Sequence, residues 1–162
     1  MPIKKYRNNG AIGALLDEYE KALFELRNVL NTITDKELVV IADAETSDPD
    51  CASIQSILTH VIRAGYNYAI VIRKSFDEQI EYKKGETFET ISEFQDALPN
   101  MFRYNEMLFI DYPNLKLEEK IPKKKITTSW GQQYDVEQLY EHAIVHILRH
   151  RRQIERFIIK LR

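Results

Sequence analysis

The residues best suited to chemistry in this chain are its four histidines. His142, His146 and His150 follow one another at four-residue steps near the C-terminus, and His60 lies far from them in the sequence. Residues four apart lie about one turn apart on the same face of an α-helix, so two imidazoles at this spacing can bind one ion. The pattern indicates a metal site, provided that the segment is helical.

The segment that carries the three histidines has the apolar periodicity of a helix over residues 136–161. At about 100° per residue, His150 lies roughly 35–40° and His146 roughly 80° from the centre of the apolar stripe, whereas His142 lies nearer 120°. We therefore expect His146 and His150 to face inward and His142 to lie at the flank. Two buried imidazoles need partners, and a metal ion would serve both. The alternative is that they are hydrogen-bonded packing residues or surface residues.

His60 lies in another predicted helix, which begins after Asp50 and ends near Phe76. It is about 120° from the centre of that helix's apolar stripe, a position that suits a crevice between two helices. A catalytic metal site commonly has three protein ligands and an open position for water or substrate. Ligands on facing helices are a common way to build such a site. The sequence therefore predicts a site between the second and fourth long helices.

Four long segments must position these residues, and each has an apolar stripe with helical spacing. They cover residues 11–33, 51–76, 91–110 and 136–161, and a brief helix is expected over residues 35–42. Capping boxes mark three of the starts, at Thr34 with Glu37, Thr90 with Glu93 and Asp135 with Gln138. Four such stripes predict an all-α protein, a four-helix bundle with long connections that forms one domain over residues 1–162.

Two features interrupt the helical pattern. Pro99 lies inside the third predicted helix, where a proline is expected to kink it. The connection over residues 112–134 is not helical by pattern, and the alternation around Ile126 and Trp130 predicts a short strand or hairpin. Connections of this length are often functional.

The composition is that of a soluble globular protein, with 44% hydrophobic and 30% charged residues. A net charge of -2 argues against a dedicated nucleic-acid binder. No apolar run approaches the roughly 18–20 residues of a membrane span, and the polar stretch over residues 1–10 does not resemble a signal peptide. Cys51 is the single cysteine and precludes an internal disulfide. We therefore expect a cytoplasmic protein with neither a nucleic-acid nor a membrane partner.

Two of these segments resemble the DinB/YfiT-like superfamily of bacterial four-helix-bundle metalloproteins. Residues 53–61 are similar to the family's second helix, with its single ligand histidine, and residues 141–154 are similar to its last helix. The order and spacing of the four predicted helices also agree with the family, so the resemblance covers essentially the whole chain, and the two histidine segments are its specific part. It implies a divalent metal, most often zinc or nickel, held by His60, His146 and His150 with a water molecule completing the shell.

The resemblance also implies a range of functions. Family members with known chemistry include thiol S-transferases that use bacillithiol, mycothiol or glutathione, as well as isomerases and hydrolases. A low-molecular-weight thiol is therefore an expected co-substrate, and a small molecule the expected substrate. The alternative is a non-catalytic, stress-related bundle that binds a metal or another ligand. A homodimer is plausible on general grounds, because symmetric dimers are the commonest oligomers.

Five further residues are candidates for supporting roles. A metal-bound imidazole usually donates its other N–H to a second partner, and Gln153 lies on the correct side of the helix to accept it. Arg149 is a candidate for binding an anionic substrate. His142 could support a ligand or act as an acid or base, and Asn105 and Asn67 could also reach the site. For each of them the alternative is a packing or solvent-facing role. Cys51 lies about two and a half turns before His60, too far to be an expected ligand.

Overall fold

The protein is mostly helical in the computed structural model, which describes residues 5–162. Its helices are α1 (Gly10–Leu30), α2 (Asp35–Leu38), α3 (Ile54–Lys74), α4 (Ile91–Asp111) and α5 (Val136–Leu161). Two short strands, β1 (Ile126–Thr127) and β2 (Gln133–Tyr134), lie between α4 and α5. The expectation of an all-α protein is confirmed. Residues 1–4, part of the stretch in which no signal peptide was expected, lie outside the described residues.

Side-chain caps set the starts of four helices. The three predicted capping boxes are present at Thr34, Thr90 and Asp135, and a fourth, formed by Ser53 and Ser56, begins α3. In each box the cap side chain accepts a hydrogen bond from the backbone N–H three residues later, which satisfies a donor that the helix itself leaves unpaired. These caps fix where α3 and α5 begin, and so they set the positions of the histidines along the two helix axes.

The helix α2 is shorter than expected, because it ends at Leu38 and not near Ala42. The residues that follow pair with another segment and do not continue the helix. The backbone N–H of Ala42 donates to the carbonyl oxygen of Ala52, and Ile41 pairs with Ser53 as an isolated bridge. These contacts hold the connection between α2 and α3 against the start of α3.

The four long helices pack around one apolar core. Helix α1 contacts α4 and α5, and α3 also contacts α4 and α5, so every long helix has two long neighbours. The core is filled by side chains that are almost completely buried, among them Leu26, Ile57, Leu58, Val61, Leu98, Met101, Leu139, Tyr140 and Ile147. Each such side chain contributes roughly 1.5–3 kcal/mol by leaving water. The direct packing of α3 on α5 brings His60 opposite His146 and His150.

Helix α4 continues through Pro99 as one helix of 21 residues, so the proline does not end it. Close to this point α4 approaches α3 at Gly65. A Cβ atom at Gly65 would lie 2.3 Å from the Met101 sulfur, which explains why glycine occupies this position.

The connection after α4 contains the hairpin expected around Ile126 and Trp130. Strands β1 and β2 are antiparallel, with Ile126 opposite Tyr134 and Thr127 opposite Gln133. Trp130 lies in the turn, which Gly131 closes with a φ of +85° that glycine adopts without strain. The hairpin places Trp130 beside α3 and α5, where its ring contacts Tyr68 and His142.

Within residues 5–162, none of the helices combines the length and the apolar character that a membrane crossing requires.

Candidate metal centre

Three histidines from α3 and α5 converge on one point. His60 Nε2 lies 2.8 Å from His146 Nε2, and His150 Nε2 lies 3.2 Å from the same atom. Together the three residues form a group that could hold a metal ion. Two Zn–N bonds of about 2.0–2.1 Å at a tetrahedral angle place the two nitrogen atoms about 3.4 Å apart. The observed separations would therefore need to widen by less than about 1 Å to accept such an ion.

Burial differs across the group. His146 and His150 are almost fully buried, at 5% and 2% exposure, as the helical wheel predicted. His60 keeps 22% of its side chain exposed, which agrees with its predicted flank position. Any open coordination position is therefore expected on the side of His60.

The ring of His60 is held by a carboxylate that the sequence analysis missed. Asp50 Oδ2 lies 3.1 Å from His60 Nδ1 and also accepts a hydrogen bond of 2.5 Å from the Arg63 guanidinium. Asp50 belongs to a short 3₁₀ turn, Pro49–Cys51, that lies immediately before α3. A carboxylate behind a histidine ring is a frequent arrangement in metal sites, where it fixes the orientation of the ring and raises its basicity.

The ring of His150 is held by Gln153, one turn along α5. Gln153 Oε1 lies 3.1 Å from His150 Nδ1, the contact for which Gln153 was a candidate. The same oxygen is 3.8 Å from the Cys51 sulfur. Cys51 is not part of the three-histidine group, as expected, but the fold brings it next to a residue that contacts the group.

These contacts bear on which ring nitrogen carries the proton. The amide oxygen of Gln153 only accepts hydrogen bonds, so neutral His150 carries its proton on Nδ1. At His60 Nδ1 the Asp50 carboxylate only accepts, which favours a proton there, whereas Arg63 Nη2 lies 3.0 Å from the same nitrogen and only donates. With both protons on Nδ1, the Nε2 lone pairs of His60 and His150 point toward His146 Nε2. In the metal-free protein a proton on His146 Nε2 can serve these lone pairs, and a bound cation would serve the same nitrogens. His146 Nδ1 is buried and has no hydrogen-bond partner among the described residues, so no protein group holds that side of its ring.

All three rings are held in their neutral form. Burial, followed by the neighbouring imidazoles, lowers the pKa of His146 to about 2. Burial and the proximity of His60 lower the pKa of His150 to about 4. Burial also lowers the pKa of His60, although Asp50 opposes the shift. Neutral imidazole is the form that binds metals, so protons do not compete for these nitrogens near neutral pH.

A cavity of about 500 Å³ opens beside the group, and we call it the aromatic pocket. Its floor includes His60 and His146, and its walls include Tyr68, Trp130, His142 and Arg149. A volume of this size is typical of a site for a small molecule. The arrangement therefore joins a group able to hold a metal with a space able to hold a substrate.

His142 belongs to this pocket and not to the group of three. Its ring stacks on Trp130, with the centroids 5.5 Å apart and an angle of 26°, and its Nδ1 lies 3.4 Å from the Tyr134 hydroxyl. Burial and the charge of Arg149 lower its pKa. His142 is half-buried and lines the cavity.

The other candidates have different surroundings. Asn67 lines the aromatic pocket, but both ends of its amide are bonded to the backbone of Lys83, so it anchors the connection before α4. Asn105 was a candidate for reaching the site, with a packing role as the alternative, and it takes the packing role. It is fully buried, and its amide donates to the carbonyl oxygens of Gly65 and Met101, which ties α4 to α3 away from the pocket lining.

Arg149 lines the aromatic pocket, as its candidate role requires. Four residues near the site, Asp50, Arg63, Tyr68 and Trp130, had not been assigned roles. Tyr68 lies among the apolar residues at helical spacing in residues 51–76, a pattern typical of a core residue, and Trp130 was expected only in the hairpin region. Asp50 lies in a turn, which has no periodicity from which a side-chain direction can be inferred. Arg63 lies on α3, but the apolar periodicity of a helix does not reveal which partner a charged side chain meets.

Comparisons with known proteins do not assign the chain to a family. No family model matches it, and no curated protein matches it. The resemblance to the DinB/YfiT-like superfamily therefore stays a prediction that depends on the residues quoted for it.

Proposed function

We propose that the protein is a DinB/YfiT-like four-helix bundle that binds one divalent metal ion, zinc or nickel, through His60, His146 and His150. We further propose that it is a metal-dependent enzyme of the thiol S-transferase or hydrolase type. The observation that carries this proposal is the convergence of three neutral imidazole nitrogens beside a pocket that could admit a small molecule.

The donor set favours zinc or nickel. Imidazole nitrogen is a ligand that suits zinc, copper, iron and nickel, whereas magnesium and calcium prefer oxygen ligands. The Asp50 carboxylate and the Gln153 amide behind two of the rings match the second partners that metal-binding histidines usually have. Three protein ligands leave a position for water or for a thiol, as in catalytic zinc sites.

A bound divalent ion of this kind lowers the pKa of a coordinated water or thiol and so supplies hydroxide or thiolate near neutral pH. The residues of the chain supply the rest. Asp50 and Gln153 contact Nδ1 of His60 and of His150 and so hold both rings with Nε2 directed at the centre of the group. The walls of the aromatic pocket flank His60, and His142 is neutral at pH 7 and can accept a proton there.

The proposal favours an enzyme over a non-catalytic binding protein because of this pocket. A purely structural metal site is usually closed by four protein ligands. Here three candidate ligands are present among the described residues, and His60 faces a cavity. A homodimer remains a prediction that the geometry of the single chain does not address.

The activity is tested by comparing metal-loaded and chelator-treated protein. Glutathione, cysteine and other thiols would be mixed with 1-chloro-2,4-dinitrobenzene, and p-nitrophenyl acetate would report hydrolysis. In the thiol reaction a carbon–sulfur bond forms, the carbon–chlorine bond breaks, chloride leaves and the thiol proton passes to solvent. The proposal expects a rate that requires the metal and is lost in His146→Ala.

Arg156→Gln is a suitable control, because Arg156 lies on α5 but outside the aromatic pocket. Its rate should equal that of the wild type. If the metal-loaded protein is no faster than the same concentration of metal in buffer with every thiol and with the ester, the proposed enzyme class is wrong.

A further inference from the structure

The aromatic pocket contains one positive charge that no acidic group compensates. The lining residues include two arginines and no carboxylate. Arg63 is paired with Asp50 at 2.5 Å, so its charge is largely neutralised. Arg149 is exposed and makes neither a hydrogen bond nor an ion pair with any residue in the described part of the chain. An unpaired guanidinium at the wall of a pocket is suited to bind an anion, and it presents a planar fork that matches a carboxylate.

A second hydrogen-bond donor lies near this charge. Tyr68 is 5% exposed, and its hydroxyl makes no hydrogen bond with the described residues. A phenol is protonated near neutral pH, so this hydroxyl can donate to an anion that Arg149 attracts. Because Tyr68 lines the aromatic pocket and its hydroxyl has no acceptor among the described residues, a ligand in the pocket can supply one.

Trp130 provides an apolar surface on which a flat ring could pack. Its side chain is 49% exposed, stacks on His142 and meets the edge of the Tyr68 ring at 6.3 Å. Val71 and Ala64 add aliphatic surface to the same pocket. A planar ligand that covers Trp130 would bury apolar area that now faces water, and aromatic pairs add stabilisation beyond that area.

We propose that the aromatic pocket binds a small planar aromatic carboxylate, with the carboxylate on Arg149 and Tyr68 and the ring against Trp130. This inference rests on the proposed function, because it names the class of substrate that would be held beside the three histidines. It goes further in assigning the binding role to residues outside the candidate metal group.

The first experiment measures binding in the metal-free protein, so that coordination of the carboxylate by a metal cannot contribute. The probe is 2-naphthoate, titrated by calorimetry in the presence of a chelator. The matched ligands are 2-naphthamide, which lacks the charge, and cyclohexanecarboxylate, which lacks the flat ring. The proposal expects 2-naphthoate to bind about tenfold or more tightly than either, since a charge-assisted contact and a stacking contact are both required.

Variants at three positions separate the contributions. Arg149→Gln should weaken the binding of 2-naphthoate about tenfold and leave the binding of 2-naphthamide unchanged, and Arg149→Lys should restore part of the lost affinity. Tyr68→Phe should weaken the binding of 2-naphthoate by a smaller factor, because the hydroxyl is a neutral donor. Trp130→Leu should abolish the preference for the flat ring. Arg156→Gln, on the same helix as Arg149 but outside this pocket, should bind like the wild type.

The single tryptophan provides an independent measurement of ligand binding. Its indole N–H donates to Gln132 and gives one side-chain signal in a proton–nitrogen NMR spectrum of labelled protein. That signal should shift on addition of 2-naphthoate and not on addition of the same concentration of chloride.

Equal affinities for 2-naphthoate and 2-naphthamide, or an unchanged affinity in Arg149→Gln, would overturn the proposal. So would the absence of both heat and an indole shift at millimolar ligand. Metal binding is measured separately on the same preparation. Loss of ligand binding with intact metal binding overturns the pocket assignment alone, whereas ligand binding without metal binding overturns the proposed function and leaves a carboxylate-binding bundle.

Discussion

Replacing Asp50 with asparagine is expected to weaken metal binding about tenfold while leaving the fold intact. Asp50 Oδ2 accepts from His60 Nδ1 at 3.1 Å and from Arg63 at 2.5 Å. Asparagine keeps an oxygen of the same size in the same place but removes the negative charge. The charge orients His60 and makes its Nε2 more basic, so its loss reduces the strength with which His60 holds a cation.

The magnitude follows from the burial of the pair. Loss of a partner behind a ligand histidine typically costs 10–100-fold in metal affinity. Here the side chains of Asp50 and His60 are 34% and 22% exposed, so water screens part of the interaction. We therefore expect Asp50→Asn to lose metal affinity at the lower end of this range, about tenfold or about 1.4 kcal/mol. Asp50→Ala, which also removes the acceptor, should lie between that value and about 100-fold.

The assay is competition for zinc with a chromogenic chelator at pH 7. Asp96→Asn is the matched control, because Asp96 is exposed on α4 and far in sequence from the group. Circular dichroism would establish that all variants remain helical. Asp50 opposes the lowering of the His60 pKa, so Asp50→Asn should also lower that pKa further, and NMR can follow the change. Affinities of Asp50→Asn and Asp50→Ala within twofold of the wild type would refute the assigned role.

Three further predictions concern the second ligand partner, acid stability and the core. Gln153→Leu should weaken zinc binding by a smaller factor, about threefold to tenfold, in the same competition assay, because Gln153 is a neutral acceptor for His150. The metal-free protein should lose stability as the pH falls below 6.5, since burial lowers the pKa values of His146 and His150 to about 2 and about 4 and unfolding therefore takes up protons. In urea titrations the free energy of unfolding should fall by about 2 kcal/mol per histidine between pH 6.5 and pH 5. A free energy of unfolding that does not change with pH, in the wild type and in His146→Ala alike, would contradict this prediction. Leu98→Ala, at a fully buried position, should cost about 2–5 kcal/mol, whereas Ile110→Ala, at a 67% exposed position on the same helix, should cost less than about 0.5 kcal/mol by the same measurement.

The helices and the inward direction of two histidines were predictable because both depend on local rules. Apolar spacing identifies the buried face of a helix, and the side chains of Thr34, Thr90 and Asp135 mark where helices begin. His146 and His150 lie one turn apart on the inner face of α5, so a helical wheel was sufficient to predict their burial.

The surroundings of the site were less predictable, because they depend on which segments meet in space. Asp50 lies in a turn without periodicity, and its contact with His60 depends on how that turn packs on α3. Cys51 and Gln153 are 102 positions apart, and only the packing of the turn against α5 brings them together. Whether Asn105 reaches the site or packs against α3 was not predictable for the same reason, because a wheel identifies a buried face without identifying the helix that covers it.

The central claim, one divalent ion held by three histidines, is tested most directly by elemental analysis of the purified, untagged protein. The wild type should contain about one equivalent of metal, and so should His142→Ala, which removes a histidine of the aromatic pocket wall outside the group of three. The double variant His146→Ala, His150→Ala should contain none. If the wild type retains no metal after incubation with zinc or nickel followed by gel filtration, or if the double variant retains as much as the wild type, the account of this site is wrong.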